Sequence, residues 1–233
     1  MKKIVFLFVL ALLSSVGVIG YSIATGMQKA ASDDPRVWED DIAALESSWA
    51  DAPTGGIVFV GSSSIRLWHT LEADMAPLPV IQQGFGGARV NDVAHYLERL
   101  VLAYEPASVV IFIGTNDINV SDNPASAVPI ISSTVENIVD RILLQDANTQ
   151  IYYIAITPTI MSWDKWTEVQ AANAAVRAMC QIGSRCEFIA TADLFLDAAG
   201  EPNKKLYQFD GLHLSTEGYE LWTRRIKPLL EMR

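Results

Sequence analysis

The chain has 233 residues, half of them hydrophobic, and 17 basic against 27 acidic side chains give a formal net charge of −10 at pH 7. That is enough apolar material for one core of ordinary size, and the acidic balance excludes a protein whose work is to neutralise nucleic-acid phosphates or anionic lipid headgroups. Two cysteines with no histidine beside them do not complete a zinc site, so no metal partner is expected.

The amino terminus reads separately from the rest. Met1-Lys2-Lys3 precede an uncharged run from Ile4 to Gln28, the pattern of a positive segment followed by an apolar one. Residues 1–26 read either as a secretory signal ending at Ala24-Thr25-Gly26 or as an uncleaved anchor, because residues 4–27 exceed the ~20 needed to span a bilayer. Both readings export the body of the protein, to the periplasm, to the outer side of a membrane or to the medium. No cysteine near the end of the run supports lipid attachment. Residues 27–35 read as a polar linker and residues 36–233 as one domain.

Within that domain, apolar positions at helical spacing from Arg36 to Ala50 predict an amphipathic helix, and Pro53-Thr54-Gly55-Gly56 breaks the chain after it. Ile57–Val60 is too apolar for a surface edge and reads as a central parallel strand, closed by Gly61 and followed by Ser62, Ser63 and Ser64 at the start of a short helix. A second strand, Val80–Gln83, runs into the glycine-rich stretch GFGGAR, residues 84–89, and a helix starting at Asn91 ends near Glu105-Pro106. The third strand, Ser108–Ile113, stops at GTND, residues 114–117, and a long helix spans about Pro124 to Gln145. The fourth strand is Ile151–Ile156. After Pro158 comes a helix whose Trp163 and Trp166 are assigned to the core. The fifth strand is Cys186–Ala190, and Ser215 caps a last amphipathic helix. Strands alternating with helices predict a parallel sheet covered on both faces, an α/β fold. Cys180 and Cys186, six apart with Gly183 between them, admit two readings in an exported protein, a disulfide or two buried thiols.

Parallel topology places the carboxyl ends of all the strands on one edge, where ligands of such sheets bind. The first turn of a helix has unpartnered backbone N–H groups and a partial positive charge, so a serine there sits where an oxyanion is stabilised; a helix cap is the plainer use of the same residues. A serine nucleophile needs a base, and there are three histidines. His69 lies more than a turn past the serines and His95 about a turn into the next helix, whereas His213 follows Asp210 by three residues in a loop. That spacing lets a carboxylate fix the imidazole tautomer. Asn116 offers an amide donor and Gly87 a backbone N–H at strand ends, although either residue is common in simple turns.

GSSS, GFGG, GTND and DGLH, in this order, resemble the four blocks of the SGNH hydrolases, also called GDSL esterases and lipases. The resemblance covers nearly the whole body from Ile57 to the last helix. It implies a flavodoxin-like three-layer α/β/α sandwich, with a five-stranded parallel sheet in the order 2-1-3-4-5. It implies Ser63 as nucleophile, His213 as general base and Asp210 as its orienter, and an oxyanion hole from the N–H groups of Ser63 and Gly87 and the Asn116 amide. The family usually has aspartate where this chain has Ser62. The expected activity is hydrolysis of a small-molecule or carbohydrate ester through an acyl-enzyme, with no metal or organic cofactor. Short-chain acyl and carbohydrate O-acetyl esters are favoured over lysophospholipids and thioesters. A non-catalytic module that binds a carbohydrate or an anion at the same strand ends is the alternative from another class. It has no need of Asp210 and His213. The oligomeric state is not legible in the sequence.

Overall fold

The computed structural model describes residues 28–232, and the apolar run of residues 4–27 lies outside them. The five apolar runs form five parallel strands: β1 (Ile57–Gly61), β2 (Val80–Gly84), β3 (Ser108–Phe112), β4 (Gln150–Ile154) and β5 (Glu187–Ile189). Their order is β2-β1-β3-β4-β5. The chain steps outward from β1 to β2, then crosses back to β3 on the other side of β1. That reversal opens a crevice at the carboxyl ends of the central strands.

The helices are α1 (Glu39–Ser48), α2 (Ser63–Arg66), α3 (Leu71–Met75), α4 (Val90–His95), α5 (Leu97–Leu100), α6 (Thr115–Val120), α7 (Pro124–Gln145), α8 (Trp166–Gln181) and α9 (Thr216–Glu231). Successive side chains of a strand point to opposite faces, so each strand serves two cores. Val58 and Val60 of β1 join a cluster with Ile42 of α1, Val93 of α4, Ile138 of α7 and Val176 of α8. Ile57 and Phe59 of the same strand face Ile65 of α2, Met75 of α3 and Trp222 of α9. Helices therefore cover both faces, giving the expected three-layer sandwich.

Three local features differ from the sequence expectation. The helix expected from Asn91 onward is two helices, because Tyr96 at φ −94°, ψ 13° closes α4 before α5 begins. Both pieces still bury their apolar positions, Val90, Val93, Leu97 and Leu100. GTND, read only as the stop of the third strand, opens the six-residue helix α6, which begins at Thr115. Of the two tryptophans assigned to the core, Trp166 packs against it only in part, and Trp163 stacks on Trp166 with ring centroids 5.6 Å apart. Where the sequence left two readings of the cysteines, Cys180 and Cys186 are joined in a disulfide that ties the end of α8 to the start of β5. Within residues 28–34, part of the stretch read as a linker, Ala30 is buried and Lys29 pairs with Asp41 at 2.6 Å.

The end of β1 shows why a glycine precedes the serines. Ser62 N–H donates to the Phe112 carbonyl at 3.1 Å, which draws the ends of β1 and β3 together. A Cβ built at Gly61, whose φ is +152°, would lie 1.9 Å from that same carbonyl oxygen. Gly61→Ala is therefore expected to lower the unfolding free energy by ~3 kcal/mol or more, the upper end of overpacking costs, measured by denaturant titration.

Candidate active site

Ser62 has extended backbone geometry and Ser63 is the first residue of α2, so the Ser63 N–H has no carbonyl partner within the helix. The helix is only four residues long, and its far end is satisfied from outside: the Gln82 side chain donates to the carbonyls of Ile65 and Trp68, at 2.6 and 3.0 Å. Tyr219 of α9 donates its hydroxyl to the Ser64 carbonyl at 2.9 Å, and its ring stacks on the buried Trp68. The serine is thus fixed by the sheet on one side and by the last helix on the other.

The loop carrying Asp210 and His213 is built around the carboxylate. Asp210 Oδ1 accepts from the N–H groups of Leu212 and His213, at 2.9 and 3.0 Å, and Oδ2 lies 2.7 Å from His213 Nδ1. Burial works against the charge of Asp210, but the Leu212 N–H, the His213 ring and the His213 N–H outweigh it and hold this carboxyl below its ordinary value. The loop is pinned from outside as well. Met161 N–H donates to the Gly211 carbonyl at 3.1 Å, and the Tyr207 hydroxyl donates to the Pro158 carbonyl. Ser215 caps α9, its Oγ accepting from Gly218 N–H at 3.2 Å. The result is that His213 Nε2 stands 2.9 Å from Ser63 Oγ.

Of the sequence-predicted residues, Ser63, His213 and Asp210 form one continuous hydrogen-bonded line. His69 and His95 are exposed and outside it, with His95 lying edge-on to Tyr96. Gly87 occupies the turn after β2 at φ +81°, a conformation that glycine adopts without strain. Among the described residues, its N–H and that of Ser63 donate to no other backbone carbonyl. Asn116 lies near the start of α6, and its Nδ2 donates to the Ala88 carbonyl at 2.9 Å. An amide nitrogen carries two hydrogens, so one remains for a ligand. Among the described residues no group of three or more metal-ligating side chains is gathered.

Sequence reasoning missed Asp117. It is buried beside Asn116, and both of its carboxyl oxygens lie 3.2 Å from the Val90 N–H. Desolvation is the main cause of its shift and pushes its pKa up to about 7. Arg89 was missed too: its guanidinium pairs with Asp33 at 3.0 Å and donates to the Ser32 carbonyl, tying the segment after Gly87 to the amino-terminal stretch.

The sequence matches the GDSL-like lipase/acylhydrolase family over residues 48–221, a span that includes Ser63, Gly87, Asn116, Asp210 and His213. The chain belongs to that family. It is accordingly an ester-hydrolysing enzyme. The fold is shared with a GDSL-like lipase from Bacteroides thetaiotaomicron, at 19% identity and a TM-score of 0.68 over 85% of this chain and 98% of that one. It is shared also with an acetyl xylan esterase from Geobacillus stearothermophilus, at 19% identity and a TM-score of 0.56 over 74% of this chain and 93% of that one. A curated relative, the N-acylneuraminate cytidylyltransferase of Escherichia coli, is 24% identical over 178 residues. That alignment takes in 75% of this chain and 40% of the longer protein. Ser62, where the resemblance leads one to expect aspartate, is buried. It closes the start of α2 with its carbonyl, which accepts from Ile65 and Arg66 N–H, and its side chain makes no capping bond.

The native pKa of Asp117 lies above the unfolded value of 3.8, so its favourable contribution is complete below that pH and is lost as pH rises through about 7. Asp117→Asn removes the titration. Between pH 4 and pH 8 the unfolding free energy of the variant is expected to gain on wild type by on the order of 3 kcal/mol, read from denaturant titrations at each pH.

Proposed function

We propose that this protein is a serine esterase that works outside the cytoplasm and hydrolyses short-chain acyl esters, carbohydrate O-acetyl esters foremost, through an acyl-enzyme on Ser63. The observation that carries the reading is the line Asp210–His213–Ser63, with separations of 2.7 and 2.9 Å, ending at a hydroxyl on the first residue of a helix.

In this mechanism His213 Nε2 takes the Ser63 proton as Oγ attacks the ester carbonyl. Charge develops on the carbonyl oxygen, which accepts from the Ser63 and Gly87 N–H groups and from the second Asn116 amide hydrogen. His213 then gives its proton to the departing alcohol, the ester C–O bond breaks and the acyl group stays on Ser63. Water, deprotonated by His213, attacks the acyl-enzyme; the bond from the acyl carbon to Ser63 Oγ breaks, His213 returns the proton to Oγ and the acid departs. Asp210 remains ionised throughout, holding Nδ1–H and offsetting the charge on the imidazolium.

Export is supported by the apolar run of residues 4–27 and by the Cys180–Cys186 disulfide, which persists in oxidising compartments. Small acyl groups are supported by the absence of a large inserted lid among the described loops at the strand ends. The acetylated carbohydrate is suggested by the shared fold with an acetyl xylan esterase.

The purified protein is expected to cleave p-nitrophenyl acetate faster than the butyrate and octanoate esters, and to release acetate from acetylated xylo-oligosaccharides. Ser63→Ala should reduce kcat/KM by more than about 10³-fold. Equal rates for wild type and variant would remove the enzymatic role of Ser63 and leave a binding module. Preference for long-chain lysophospholipid or thioester would replace the substrate class and keep the mechanism.

A further inference from the structure

The two side chains that follow Gly114 and Thr115 reach out of α6 to the same neighbouring segment. Asn116 donates to the Ala88 carbonyl at 2.9 Å, and Asp117 accepts from the Val90 N–H through both oxygens at 3.2 Å. These bonds grip the backbone on either side of Arg89, directly after Gly87. Gly87 supplies one oxyanion donor of the proposed mechanism and Asn116 another, so the spacing between the two donors is set by the grip. Asp117 has no route of its own to a substrate, since it is buried and faces a backbone amide.

The surroundings suit such a role. Val90 is the first residue of α4, where a backbone N–H has no intrahelical acceptor, so the Asp117 carboxyl supplies the partner that this helix start lacks. The other end of α6 is held too. The Lys165 ammonium donates to the carbonyls of Ile118 and Asn119, at 3.3 and 2.8 Å, a cation at a helix carboxyl end. With α6 fixed there, a movement of Asp117 is transmitted to the Ala88–Val90 segment.

We propose that Asp117 is the positioning residue of the oxyanion hole: by holding Val90 N–H it keeps the Gly87 N–H and the Asn116 amide aimed at one point. The inference rests on the serine-esterase reading above. The oxyanion is absent from the bound ester and forms only on the way to the tetrahedral adduct, so loosening the hole lowers kcat and leaves KM nearly unchanged.

The test is steady-state hydrolysis of p-nitrophenyl acetate by wild type, Asp117→Ala, Asp117→Asn, Asn116→Ala and the Asn116→Ala/Asp117→Ala double variant, each with its melting temperature. Asp117→Ala is expected to lower kcat by about 10- to 100-fold with KM within about twofold, a part of the loss that follows removal of an oxyanion donor outright. Asp117→Asn, which keeps an oxygen for Val90 N–H, should retain kcat within about threefold. In the Asn116→Ala background the Asp117→Ala loss should largely disappear, because residues acting through one unit are non-additive. Should Asp117→Ala fail to fold, Asn116→Ala with and without Asp117→Asn, together with a boronic acid that mimics the tetrahedral adduct, gives the same comparison. The boronate should bind wild type and Asp117→Asn alike, and Asn116→Ala more weakly. Three results overturn the proposal: a lower melting temperature with unchanged kcat in Asp117→Ala, Asp117→Asn as damaging as Asp117→Ala, or fully additive losses. An absence of Ser63-dependent hydrolysis in wild type is a different failure, that of the esterase reading itself.

Discussion

The contact between Ser63 and His213 joins residues 150 positions apart, and it exists only because every strand runs the same way. A parallel sheet delivers the end of β1 and the loop before the last helix to one edge; an antiparallel neighbour would put one of them at the opposite end. Fixing a hydroxyl and an imidazole at hydrogen-bond distance across that span needs supports on both sides. On the serine side they are Gly61, which lets Ser62 N–H reach the Phe112 carbonyl, and the Gln82 amide beneath α2. On the histidine side they are Asp210, the Met161 N–H and the cap at Ser215. Tyr219 connects the two, since it belongs to the last helix and bonds to the residue after the serine.

The site also draws on both faces of the sheet. Ile65 of α2, Leu214 and Tyr219 lie in the core on one face, so Ser63 and His213 are anchored there. Val90 and Ile118, close in the chain to Gly87 and Asn116, lie in the core on the other face. The candidate site is therefore assembled where two separately packed layers meet at the strand ends. Buried side chains at protein density do not yield easily, so a change in either core is felt in the distance from Ser63 to Gly87 and Asn116. The disulfide at the end of α8 and the Arg89 pair with Asp33 secure elements outside the reacting line, in the layer that carries Gly87 and Asn116.

What could be read from the sequence follows from what sequence patterns encode. All five strands were marked to within two residues, most plainly β1 and β3, whose buried apolar runs have few polar positions to blur their limits, whereas β2 carries Gln82 and Gln83 and was marked by the glycine-rich stretch that closes it. The Asp210–His213 pair was legible from spacing, and the other two histidines fell out because His69 lies more than a turn past the serines and His95 about a turn into the next helix. Asp117 was invisible for a physical reason: nothing in the string GTND distinguishes a solvated carboxylate from one desolvated by packing, since burial is decided by residues remote in sequence. Helix α6 was hidden for a similar reason. Its first turn consists of residues that also favour loops, and it is held by partners from the segment after β2 and from Lys165. Tyr96 split a helix whose apolar periodicity runs on unbroken, because periodicity reports which face is buried and not whether the backbone bonds continue.

Everything in this account depends on one hydroxyl among three adjacent serines being the nucleophile. Treatment of the purified protein with a fluorophosphonate, followed by peptide mass spectrometry, reads that directly. A single adduct on Ser63, lost in His213→Ala, is the predicted result; an adduct on Ser62 or Ser64, or labelling that survives loss of His213, contradicts the account.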